Sequence, residues 1–172
     1  MRRLILPLAI AAIALPALAG PAPVTVSLKG PAGRDLGTAT LTEAPHGLVL
    51  RVAAKGLTPG WHGLHFHEKA DCSSADFKSA GAHMHHDMPV VHGLLNPAAN
   101  ETGDLPNLFA AADGTATAEF FTPSVSLSVA ERAPLLDADG SALVIHAAPD
   151  DHTSQPIGGA GARVACAVIK AP

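Results

Sequence analysis

Gly60-Trp61-His62-Gly63-Leu64-His65-Phe66-His67 is the stretch on which the reading of this chain turns. Side chains two apart on a strand project to the same face, so a strand here lets His65 and His67 converge on one ion. Outward from this stretch, short segments of alternating or β-branched character recur at 24–28, 39–42, 48–53, 116–121, 125–129, 142–146 and 163–169, and these read as strands. Lys29-Gly30, Asp113-Gly114 and Asp139-Gly140 supply residues that tolerate the positive φ of tight hairpins. With 16 glycines, 15 prolines and no long helical periodicity, the pattern predicts an all-β antiparallel sandwich or barrel. Residues 68–104 and 147–162 break the short-strand rhythm, and long connections in a compact domain are usually functional or disordered. The histidines in and beside the first of them point to function.

Seven of the ten histidines lie between residues 62 and 92. Imidazole suits copper and zinc above harder ions such as magnesium or calcium. A His-x-His pair alone is equally an ordinary polar pair; together with His83, His92 and His146 it reads as a metal constellation.

The first 19 residues carry Arg2 and Arg3, an apolar run over 4–18 and a small-x-small site at Ala17-Leu18-Ala19, the pattern of a cleaved secretory signal peptide. The run falls short of the roughly 20 apolar residues that cross a bilayer, and Pro7 and Pro16 interrupt it. Cleavage after Ala19 leaves 20–172 as one expected domain in the periplasm, with no membrane attachment after cleavage. Losing two arginines and no acid takes the formal charge from −4 to −6, the opposite of what polyanion binding requires, so nucleic acid is excluded as a partner. Cys72 and Cys166 both lie in the exported part, where an oxidising compartment favours a disulfide over two buried thiols.

The 60–67 stretch followed by Cys72 resembles the first signature of the copper/zinc superoxide dismutases. The resemblance continues in family order through Ser79-Ala80-Gly81-Ala82-His83, Gly103-Asp104-Leu105-Pro106, Leu143-Val144-Ile145-His146 and Ala162-Arg163-Val164-Ala165-Cys166. It implies a Greek-key antiparallel β-barrel, an immunoglobulin-like sandwich with two long functional loops, that converts superoxide to dioxygen and hydrogen peroxide. Copper would be held by His65, His67, His83 and His146, and zinc by His83, His92 and Asp104, with His83 shared between the two ions. Asp150 would hydrogen-bond one histidine on each metal, Cys72 would pair with Cys166, and Arg163 would guide the anion beside copper. His62 would organise loops rather than bind metal. Lys69 and Lys78 are candidate steering charges, and Met84 and Met88, beside His85 and His86, could capture cuprous ion or be incidental loop residues.

One position departs from the family. Three residues before Asp104, where a histidine is expected, stands Glu101. A carboxylate is a legitimate zinc ligand, yet it is shorter than an imidazole, and a solvated loop residue is the equal alternative; His85 and His86 are a third source of a ligand. A decayed zinc site would make the chain a periplasmic copper carrier on a dismutase-like barrel. A zinc hydrolase is disfavoured because no His-Glu-x-x-His pattern supplies a general base. The sequence leaves monomer and homodimer both open.

Overall fold

The computed structural model describes residues 22–85, 87–128 and 131–171. The expected signal peptide, His86 and Val129 lie outside them. Strands β1 (Val24–Lys29), β2 (Asp35–Ala44) and β3 (Gly47–Ala54) form an antiparallel meander. In β3, Leu48, Leu50 and Val52 are fully buried, while Arg51 between them points outward and meets Glu119 of β7 (Ala116–Thr122) at 2.7 Å. This alternation is the period of a strand with one face in the core.

The remaining strands are β4 (Gly60–His62), β5 (Leu64–His67), β6 (Leu108–Ala110), β8 (Val125–Ser126), β9 (Ala133–Pro134), β10 (Ser141–His146) and β11 (Arg163–Ile169). Among the described residues, seven of the eleven strands form one sheet in the order β5-β10-β11-β1-β2-β3-β7. Its two edges are brought together by a strap. β4 runs through Gly63 into β5 and pairs with β6, and β6 turns through Asp113-Gly114, with Gly114 at φ 78, into β7. The sheet thus curls into an antiparallel barrel, and the connections from β3 to β4 and from β7 to β10 join strands that are not neighbours, in Greek-key fashion.

The structure departs from the sequence reading in places with local causes. Of the segment read at 125–129, Val125 and Ser126 form the strand among the described residues, in parallel with β9. The next amide, Leu127 N–H, is taken by the Glu43 carboxylate instead of a ladder partner. In the turn after β1, Gly30 has φ −89; the positive φ falls on Ala32 and Gly33. Strands β4, β6 and β9 are two or three residues long, too short to show a period in sequence.

The core is built from Leu28, Leu41, Leu50, Leu64, Phe66, Leu108, Leu143, Ile145 and their neighbours. Leu64 and Phe66 of β5 are fully buried in it, each burial contributing about 1.5–3 kcal/mol. A slip of one residue would exchange them for His65 and His67, so these apolar side chains hold the histidines on the opposite face, beneath the long 68–107 connection.

Candidate metal centre

β5 and β10 pair antiparallel with Val144 opposite His65 and Ala142 opposite His67. His146, two residues beyond Val144, ends β10 on the same outer face, its N–H bonded to Gly63 O at 2.8 Å. The connection after β5 folds back so that His83 lies beside His67 in an isolated bridge. His65, His67, His83 and His146 are each no more than 2% exposed, and one ring nitrogen from each lies within 4.8 Å of the other three.

Hydrogen bonds fix which nitrogen faces inward. His67 Nδ1–H donates to Gly81 O (3.0 Å) and His146 Nδ1–H to Gly161 O (3.1 Å), leaving each Nε2 with its lone pair free. His65 is turned the other way: Nε2–H donates to Asp150 Oδ2 (2.8 Å), so Nδ1 faces the cluster. The four inward nitrogens, His65 Nδ1 and Nε2 of His67, His83 and His146, are buried without a hydrogen-bond partner. Four desolvated nitrogens converging on one point are costly unless a cation lies between them, and an all-imidazole set suits copper. Burial holds the His65, His67 and His146 rings below the ordinary histidine value, His146 down to about 3, so at neutral pH they are uncharged, as ligands must be.

A second group shares His83. Its Nδ1 lies 2.9 Å from Glu101 Oε2 and 3.2 Å from Asp104 Oδ1, while His92 Nδ1 lies 2.6 Å from Glu101 Oε2 and 3.0 Å from Asp104 Oδ2. The Glu101 side chain is only 4% exposed. The backbone turns it inward: residue 101 bridges His85, and Thr102 N–H bonds Met84 O at 2.8 Å. The carboxylate therefore reaches the two histidines despite its length. Two imidazoles and two carboxylates within 4.8 Å of one another make a four-donor set that fits zinc. Burial lowers the His83 and His92 values, but the hydrogen bonds they donate to carboxylates outweigh it. Asp104 and Glu101 raise His83, and Asp104, Asp150 and Glu101 raise His92 to about 11.

Asp150 joins the two groups. Its Oδ2 accepts from His65 Nε2–H and its Oδ1 from His92 Nε2–H (3.0 Å), with the carboxylate fully buried. Such an outer contact fixes ring orientation and ligand basicity. His62 takes no place in either group, since both its ring nitrogens face backbone carbonyls, His146 O at 2.6 Å and Thr58 O at 2.8 Å. His85 Nδ1 donates to His83 O (2.9 Å) and is not among the converging donors. Met84 is buried in the core, whereas Met88 is exposed.

Arg163 is delivered by a bulge. The β10–β11 register shifts at Ile145/His146, so that Arg163 faces His146. Its guanidinium donates from Nη1 to Phe77 O and from Nη2 to Gly81 O, both at 2.7 Å. These carbonyls belong to the loop tied to β11 by the Cys72–Cys166 disulfide, Cα–Cα 5.9 Å. A cavity of about 470 Å³ opens here, lined by Asp76, Lys78, His146, Ile157, Gly161, Ala162 and Arg163. Lys78 thus lies at the mouth, paired with Asp76 at 3.2 Å, while Lys69 does not line the cavity. Asn107, which bonds the backbone of Asp150 through both ends of its amide, carries no signal in sequence.

Residues 36–169 match the family model described as copper/zinc superoxide dismutase (SODC). The superoxide dismutase [Cu-Zn] of Caulobacter vibrioides is 65% identical over 147 residues, 85% of this chain and 84% of that protein. Among solved structures, a SOD-like protein from Bacillus subtilis aligns with TM-score 0.78 at 35% identity, covering 84% of this chain and 97% of that one. The Cu/Zn superoxide dismutase from Brucella abortus aligns with TM-score 0.70 at 32% identity, covering 86% and 99%.

Proposed function

From the premise that this chain belongs to the copper/zinc superoxide dismutase family, we propose that it converts two superoxide anions and two protons to dioxygen and hydrogen peroxide at the centre beneath the 68–107 connection. The observation that carries this reading is the set of four buried, unpartnered ring nitrogens of His65, His67, His83 and His146. These residues hold copper, and His83, His92, Glu101 and Asp104 hold zinc. Copper supplies an ion that cycles between two oxidation states, whereas zinc has no redox chemistry and supplies charge and order.

The protein's own groups do the rest. Arg163, held by its bonds to Phe77 O and Gly81 O, places a fixed positive charge beside His146 in the wall of the cavity where a small anion arrives, and Lys78 adds charge at its rim. The formal charge of the chain is negative, so this local positive focus is what draws superoxide in. His83 presents Nε2 to the copper histidines and Nδ1 to the zinc carboxylates, which places it to carry a proton on Nε2 for peroxide formation. Asp150 holds His65 and His92 in the tautomer that aims Nδ1 of each at its ion. A copper carrier would need neither Arg163 in the cavity nor a carboxylate spanning the two groups.

The protein acts in the periplasm after removal of residues 1–19, as a single domain from 20 to 172. A homodimer has support in the exposed Trp61 and Phe109 rings, packed edge to face at 5.0 Å, and sedimentation at rising concentration reads the assembly state. Metal analysis paired with a superoxide-decay assay tests the function: loss of dismutation in His146→Ala, with the fold intact by circular dichroism, is expected. Full activity in copper-free protein would refute it.

A further inference from the structure

Asp150 does its work from an irregular connection, so something outside any strand ladder must hold it still. Its carboxylate is already fully engaged by His65, by His92 and by the N–H of His152 (2.6 Å to Oδ1). Its position therefore depends on its backbone, and one side chain grips that backbone at both polar groups. Asn107 Oδ1 accepts from Asp150 N–H at 2.8 Å, and Asn107 Nδ2 donates to Asp150 O at 2.8 Å. The planar amide thus supplies one donor and one acceptor to a single residue, as a neighbouring strand would. Nδ2 also lies 3.2 Å from His152 Nε2.

Asn107 is a firm platform. It stands between Leu105 and Leu108, both fully buried, three residues after Asp104 and immediately before β6. On the far side of the carboxylate, Gly158 sits at φ 58, and a Cβ there would run into the Asp150 carboxylate and His92 Nε2. Asp150 is therefore held by Asn107 through its backbone and closed over by a position that only glycine fills without strain.

The geometry points to Asn107 as a positioning residue that couples the two metal subsites: by fixing the backbone of Asp150 it sets the orientation of His65 and His92 together. This rests on the metal assignment made above. Removing the clamp lets Asp150 shift, and a carboxylate that shifts cannot keep Oδ2 on His65 and Oδ1 on His92 at the same time. Both subsites lose order at once, although Asn107 touches no metal ligand side chain.

The test is a double-mutant cycle on the full mature protein. Zinc affinity is read by chelator competition, and the copper environment by the electron paramagnetic resonance spectrum of the cupric form. Asn107→Ala is expected to weaken zinc binding about tenfold, the lower end of the usual cost of disturbing an outer-contact partner, and to change the cupric spectrum. In an Asp150→Ala background the same substitution should change neither, because the residue it acts through is gone. Asn107→Asp, nearly isosteric, places an oxygen against Asp150 O and should reproduce the defect if Asn107→Ala fails to fold. Lower thermal stability with unchanged zinc affinity and an unchanged cupric spectrum would overturn the inference, as would full additivity with Asp150→Ala. Wild-type protein that takes up neither ion would overturn the metal assignment as well, an outcome distinct from a wild type that loads normally and an Asn107 variant that loads equally well.

Discussion

Glu101→Gln isolates the carboxylate that stands where the family resemblance leads one to expect a histidine. The substitution keeps shape and removes the negative charge. In the native site, Glu101 Oε2 is the oxygen nearest to both His83 Nδ1 and His92 Nδ1, at 2.9 and 2.6 Å, and with the side chain 4% exposed no bulk water replaces it. Four-ligand structural zinc sites bind with about 10–16 kcal/mol of apparent free energy, so one ligand in four represents about 3 kcal/mol, or about 100-fold in Kd. An amide oxygen retains a weak donor, which makes about 100-fold the upper end of the expected loss. Chelator competition on mature protein, monitored by zinc retained after dialysis, measures it, and circular dichroism of the metal-free form verifies folding. Glu101→His, which restores an imidazole at the position, should retain zinc. If Glu101→Gln bound zinc as tightly as wild type, the carboxylate would be a bystander and the four-donor reading would fall.

Arg163→Glu should slow superoxide decay by about tenfold or more, within the range of steering effects, while Arg163→Lys should cost less; wild-type rates should fall as salt rises. Equal rates in all three proteins would remove Arg163 from anion capture. The disulfide closes a loop of 94 residues, which in the chain-entropy model stabilises by roughly 4–5 kcal/mol, so a Cys72→Ser, Cys166→Ser double variant should lose stability of that order in denaturant titration; a loss below about 1 kcal/mol would contradict the model. The raised His83 and His92 values set a pH dependence. Their protonated pairs with the carboxylates stabilise the metal-free protein fully below 6.5, and that stability is lost as pH rises above it, for His92 towards about 11. Zinc must displace these protons, so its affinity should climb over the same window. His65, His67 and His146 are already neutral there, and copper affinity should climb less. Proton release measured calorimetrically in buffers of different ionisation enthalpy separates the two ions, and equal release for both would contradict the assignment.

How much was legible in the sequence follows from what each residue does. Strands β1, β3, β7 and β11 announce themselves because one face of each is buried over several residues, and β10 because its apolar run is buried on both faces. β4 and β6 do not, since three residues complete no period, and yet they close the barrel. The histidines stand out because buried imidazoles are uncommon and cluster only where something binds them. Asn107 is silent, because a side chain that bonds another residue's backbone leaves no pattern along the chain.

The sequence alone determined the all-β class, the two long connections and the clustering of the histidines, and it singled out Glu101 as the position to question. Tertiary structure decided which way Glu101 points, because that depends on the pairing of residues 101–103 with 83–85 across the loop. It also decided the placement of Arg163. In β11, Ala165, Ala167 and Ile169 face the core, and strict alternation would send residue 163 inward with them. The register shift opposite Ile145/His146 lets Val164 also pack against the core, so Arg163 emerges on the outer face, opposite His146. A bulge of this kind is set by the partner strand and the packing beneath it, and nothing in the order of residues 163–169 alone specifies it.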